Sequence, residues 1–238
     1  MSTRSRLVGI MAFAGALLMV LAPSPALARL RSPQVQVNGT GLQSILESQG
    51  ESITVAHNQR DAELLNGQVA SASALILQVE LLRSDGSSVG LYAGHAVVPT
   101  LVQLFPPEAT DGWFAVASFR SNPTRVIVGV FDANAASKGN TTTLGGDKNG
   151  IGWSVSGSGG TFYSQDAPNP GGSPQWLYLA GTGINSGSWW LAAEDRPLQG
   201  GADADFDDVV CFVETLSSGP FVTQLQRTTW GQLKTRFR

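Results

Sequence analysis

The sequence predicts an all-β protein: an antiparallel two-sheet sandwich, jelly-roll-like, opened by a short N-terminal helix. Three observations predict it. Apolar residues recur with a period of two over short runs. The runs are separated by turns drawn from 28 glycines and 12 prolines,. No later stretch has the long 3.6-residue periodicity of a helical bundle.

The first element precedes the fold. Arg4 and Arg6 stand before an apolar run of sixteen residues, Leu7 to Ala22, which is followed by Pro23, Pro25 and the small-residue triplet Ala26-Leu27-Ala28. That order is the order of a secretion signal. The run falls short of the roughly 20 apolar residues that span a bilayer. The expected organisation is therefore a signal peptide at 1–28, a single β-sandwich domain at 29–216 and a short basic tail at 217–238. With the signal removed, no segment is apolar enough to span a membrane, and the expected location is secreted or cell-surface.

Within the domain, Leu42, Ile45 and Leu46 fall at helical spacing, which predicts a helix over 41–48,. Strands follow. In 71–82, Leu75, Leu77, Val79 and Leu81 share one face. In 113–120, Trp113, Ala115, Ala117 and Phe119 oppose Phe114, Val116, Ser118 and Arg120,. Further strands are expected at 89–93, 97–105, 125–131, 151–156, 175–180, 188–193 and 208–214. Lys138-Gly139-Asn140, residues 145–150, Ser156 to Gly160 and Asn169 to Gly172 read as turns,.

Charge narrows the partners. Residues 29–216 hold nine Lys or Arg against eighteen Asp or Glu, whereas the tail carries Arg227, Lys234, Arg236 and Arg238 and no acid. An acidic domain is a poor partner for nucleic acid, whose binding depends on neutralised phosphates. Cations, cell-surface glycans and proteins are the expected partners.

Catalytic patterns are sparse. No G-x-S-x-G elbow occurs, and His57 and His95 stand singly, without metal-ligand spacing,. Cys211 is the single cysteine, so no internal disulfide or cysteine-based zinc site can form, and its apolar run predicts a buried, inert thiol,. Glu194 with an aspartate of 203–208 is the one pair open to a glycosidase reading, and a polysaccharide or ester hydrolase is the second alternative. A carbohydrate-binding module is the first, with Trp153, Tyr163, Trp176 or Trp189 stacking on sugar rings. The principal expectation is a non-enzymatic protein.

That expectation rests on the stretch from Glu194 to Asp208. Six carboxylates, Glu194, Asp195, Asp203, Asp205, Asp207 and Asp208, share it with one basic residue, Arg196, between two apolar runs. Carboxylates this dense call for a countercharge, and an all-oxygen set on a glycine-bent loop suits Ca2+ better than magnesium or zinc. Asp203, Asp205, Asp207 and Glu214 match positions 1, 3, 5 and 12 of an EF-hand loop. Position 6, however, is Asp208 rather than glycine, and a strand follows, so another geometry is expected,.

Gly187-Ser188-Trp189-Trp190, then Glu194-Asp195, a glycine-rich spacer and Asp205-Phe206-Asp207-Asp208-Val209-Val210 resemble the closing motif of the bacterial DUF4114 family. Asp207 stands where that motif carries Asn. Gly160 to Asp166 is similar to an upstream part of such domains, and the likeness spans about 40–215. The resemblance implies an extracellular, calcium-binding β-sandwich of bacterial surface and secreted proteins, without established enzymatic activity. It also points to Glu194, Asp195, Asp205, Asp207 and Asp208.

Overall fold

The computed structural model describes residues 28–67, 74–93, 100–121, 124–144, 150–214 and 216–217. The predicted signal segment up to residue 27, residues 71–73 and 97–99 of two predicted strands, His95, the turn at 145–149 and the tail from 218 lie outside them.

Two helices come first among the described residues, α1 (Gly41–Ser48) and α2 (Val55–Asn58). Among the described residues thirteen strands follow: β1 (Asn66–Gly67), β2 (Ala74–Ser84), β3 (Ser88–Ala93), β4 (Val102–Phe105), β5 (Phe114–Ser121), β6 (Thr124–Phe131), β7 (Ser137–Leu144), β8 (Ile151–Gly157), β9 (Gly160–Tyr163), β10 (Trp176–Ala180), β11 (Trp189–Ala193), β12 (Val209–Val213) and β13 (Leu216–Ser217). They form a seven-stranded sheet in the order β10-β11-β12-β2-β5-β6-β7 and a four-stranded sheet in the order β4-β3-β8-β9, antiparallel throughout. The short β1-β13 pair is a separate ribbon, linked to β8 through the Leu65–Ile151 bridge that precedes β1, and the expected boundary between domain and tail falls inside it.

The predicted alternation builds the main core. Val79 and Leu81 of β2, Ala115, Ala117 and Phe119 of β5, and Val126 and Val128 of β6 turn inward and meet Val89, Leu91, Leu104, Trp153 and Val155 of the smaller sheet. Stacked faces of this kind lie about 10 Å apart with interleaved side chains.

β10, β11 and β12 break the alternation, for all five residues of each are buried. The cause is a third layer. Helix α1 lays Leu42 and Leu46, with the partly buried Ile45, on the outer face of these strands, where Ile53, Val55, Leu177, Leu179, Trp190, Ala192, Phe206, Val210 and Phe212 form a second core. Glu51, just past α1, fastens this layer through its buried carboxylate. It accepts hydrogen bonds from the Thr182 backbone N–H (2.6 Å) and hydroxyl, Asn185 Nδ2 (2.6 Å) and Trp190 Nε1 (2.8 Å).

Local readings differ from the sequence in two places. Lys138-Gly139-Asn140 lies inside β7, and the reversal falls earlier, where Asp132 Oδ1 accepts the N–H groups of Asn134 and Ala136. β7 is an edge strand exposed from Ser137 to Thr142, so no buried face imposed alternation on it,. The strand expected at 97–105 begins, among the described residues, only at Val102, and Leu101 is exposed. Cys211 is fully buried, and burial pushes its thiol pKa well above the ordinary value.

Candidate metal centre

Neighbouring strands β11 and β12 close on the pair Ala193↔Val209, and the chain between them is the acidic stretch. The register therefore holds Glu194 and Asp208 at the two feet of one loop. Asp85 caps the adjacent end of β2, its N–H donating to Asp208 O (3.0 Å).

Glu194 points inward from its foot and is 0% exposed. Its Oε1 accepts the Phe206 N–H at 2.6 Å. Its Oε2 is buried and has no hydrogen-bond partner among the described residues. A buried anionic oxygen without a donor is costly. The loop brings two more carboxylates to Glu194: one ligand oxygen each of Glu194, Asp203 and Asp205 all lie within 4.8 Å of one another, with Asp205 half-buried and Asp203 exposed. These three could hold a metal ion, and their oxygen-only chemistry suits a hard cation.

The other three predicted residues are employed elsewhere. Asp195 Oδ2 accepts the Ser87 hydroxyl at 2.6 Å, and it packs so closely on the β8-β9 hairpin that a Cβ on Gly157 would fall 2.6 Å from it. The glycines of Ser156 to Gly160 thus make the predicted hairpin turn and also admit this carboxylate. Asp208 Oδ2 accepts the Asp195 N–H at 2.9 Å. Asp207 lies on the first residue of α1, where a Cβ on Gly41 would fall 1.6 Å from its Oδ2, and Arg83 Nη2 stands 3.9 Å from its Oδ1.

Two non-glycine residues in the left-handed region shape the loop, Ala204 (φ 61°) and Phe206 (φ 56°). Such residues are uncommon and need support. Phe206 receives it by plugging the second core. Ala204 O accepts the Asn38 N–H (2.7 Å), and Asp203 O accepts from Asn38 Nδ2 (2.6 Å), so the strap ahead of α1 is tied to the acidic loop. Asp205 Oδ1 accepts the Asp207 N–H at 3.2 Å.

The electrostatics reflect this crowding. Burial, then the charges of Asp208, Asp203 and Asp205, push Glu194 up to about 7 against the Phe206 N–H bond. Burial, then Asp195, Asp203 and Asp205, push Asp208 up to about 6 against the Asp195 N–H bond. Asp207 is raised by burial and by Asp205, with Arg83 opposing. Without a countercharge the folded loop resists full ionisation, which a divalent cation would restore.

The aromatic residues considered as a sugar platform are placed differently. Trp153, Trp176 and Trp189 are core residues of the sandwich, and Tyr163 is half-buried in a T-shaped contact with Tyr92 (5.4 Å). His57 is exposed on α2.

Sequence reasoning found the acidic loop but missed its brace: nothing in Asn38, Gly41 or Ser87 taken singly marks it as a partner of residues more than a hundred positions away. No family model, curated protein or solved structure matches the chain.

Proposed function

We propose that this protein is a secreted or cell-surface, non-enzymatic β-sandwich in which Glu194, Asp203 and Asp205 bind Ca2+ as a structural ion. The observation that carries the reading is that Glu194, whose buried Oε2 has no partner among the described residues, gathers with two further carboxylates within 4.8 Å. The likeness of the 187–210 segment to the DUF4114 closing motif and the signal-like N-terminus support the location.

The ion's work is conformational. It satisfies Glu194 Oε2, cancels the repulsion among the acids, and so holds the Ala204 and Phe206 backbone in its unusual form. Phe206 then stays in the second core, and the Asn38 strap stays bound to the loop. An ion that binds only the folded state adds RT ln(1 + [L]/Kd), about 2.7 kcal/mol at a hundredfold excess over Kd. Calcium is the better fit because a loop with one exposed and one half-buried carboxylate tolerates the loose geometry that magnesium does not,. The domain is then rigid where calcium is abundant, outside the cell, and looser before export. Partners, on this reading, are surface glycans or proteins that meet the rigid form.

The test is the melting temperature of the metal-free protein as calcium is titrated, with magnesium as control. A calcium-specific rise is expected, lost in Glu194→Gln and Asp205→Asn and retained in Asp207→Asn, whose carboxylate belongs to α1 and Arg83. A flat response in the wild type would overturn the proposal.

A further inference from the structure

At the other end of the seven-stranded sheet the charge is reversed. β5 and β6 pair so that Arg120 stands directly opposite Arg125. Both belong to the outer face, since their neighbours Phe119 and Val126 turn into the main core. Directly opposed residues of an antiparallel pair have Cβ atoms about 4.5–5.5 Å apart, and like charges there destabilise the pairing. Neither arginine is paired with an acid among the described residues. In a domain with twice as many acids as bases, two opposed and uncompensated guanidinium groups are out of character.

A second observation lies beside them. Ser118, on the same face of β5, pairs with Ile127 and is the diagonal neighbour of Arg125. Ser118 Oγ and Arg125 Nε are both buried, and neither has a hydrogen-bond partner among the described residues. A hydroxyl and a guanidinium N–H, each removed from water without an acceptor, flank the pair of charges. Among the described residues, then, donors from two neighbouring strands lie side by side without an acceptor.

We infer that Arg120, Arg125 and Ser118 form an oxyanion site on the outer face of β5-β6, one that takes a single tetrahedral sulfate or phosphate group. Guanidinium forks bind such oxygens in pairs, and Ser118, whose hydroxyl is buried beside them, lines the floor of the site. The site is built for one group rather than for a polyanion, because two cations on an acidic domain make no extended basic track. It is also remote from the acidic loop. Val209, beside that loop, pairs with Ser84 at one end of β2, and Arg120 pairs with Ala74 at the other. Ten residue steps along a strand separate them by roughly 33 Å, so the two sites bind ions of opposite sign independently.

The experiment is a titration of the 15N-labelled full chain with inorganic sulfate, and separately with inorganic phosphate, at ionic strength held constant with sodium chloride. The Arg side-chain Nε–H resonances are the readout. Saturable shifts of the Arg125 Nε–H and the Ser118 amide are expected. Arg120→Gln and Arg125→Gln should each weaken the apparent affinity about tenfold, the loss expected for one charge-assisted contact, while Arg83→Gln leaves it unchanged, since Arg83 already pairs with Asp85. Dextran sulfate against neutral dextran then separates a polymer-borne sulfate ester from a free anion. In low-anion buffer Arg120→Gln should also melt higher than the wild type, because it removes the repulsion, and sulfate should close that gap. Shifts that never saturate, or that are the same in Arg125→Gln, would overturn the assignment.

Discussion

Glu194 gives the acidic loop a pH dependence whose sign is fixed by the direction of its shift. In the folded, metal-free protein its carboxyl titrates near 7, against 4.5 for the unperturbed group. Between those values the folded state holds a proton that the unfolded state has released, so the contribution of Glu194 to stability is full below about 4.5 and is lost as pH rises through about 7,. At about 1.4 kcal/mol per pKa unit the upper bound is roughly 3–4 kcal/mol, and solvent reaching the loop past the exposed Asp203 reduces it to about 2. Asp208, raised to about 6, adds a loss of the same sign at the lower end of the window. The assay is urea unfolding in a chelator at pH 5 and pH 8, repeated with millimolar calcium. The metal-free wild type should be the weaker at pH 8 by about 2 kcal/mol. Glu194→Gln should lose the part of that slope between pH 6 and 7, and saturating calcium should restore the wild type at pH 8. A metal-free wild type as stable at pH 8 as at pH 5 would refute the picture of Glu194 as a buried, uncompensated acid.

Three further perturbations probe how the loop and its supporting layer are built. Gly41→Ala at the start of a helix would ordinarily gain up to about 1 kcal/mol in propensity; here the new Cβ meets Asp207 Oδ2, and a net loss of about 1–3 kcal/mol in chemical denaturation is expected, relieved in the Gly41→Ala/Asp207→Ser double variant,. Trp190→Phe and Trp176→Phe remove similar volume, but only Trp190 donates to Glu51, whereas Trp176 Nε1 has no partner among the described residues. The first should therefore cost about 1–3 kcal/mol more than the second, and equal costs would remove Glu51 as the anchor of the helical layer. Cys211, buried with its thiol pKa raised, should resist alkylation at the rate of global unfolding, so labelling and urea denaturation should report the same free energy,.

How much of this was legible in the sequence depends on how many faces of each strand are buried. β2 and β5, with one face on the main core, declare themselves by alternation, and α1 does so through Leu42, Ile45 and Leu46. β10 to β12 read as plain apolar runs because a helical layer covers their second face, a fact that no single run contains. β7 is exposed from Ser137 to Thr142 and was therefore hidden under its glycine and asparagine. The acidic loop shows the same limit more sharply. Asp203, Asp205 and Asp207 are spaced two apart, and in an extended chain they would all point one way. Ala204 and Phe206 instead take left-handed backbone angles, which uncouples spacing from direction. Asp203 and Asp205 consequently reach Glu194, while Asp207 is delivered to the first residue of α1. Neither alanine nor phenylalanine advertises that conformation. It follows from burying Phe206 in the second core and from the hold of Asn38 on Ala204 O, so the subset of the six carboxylates that gathers at Glu194 is decided by the packing of the helical layer and not by the acids themselves.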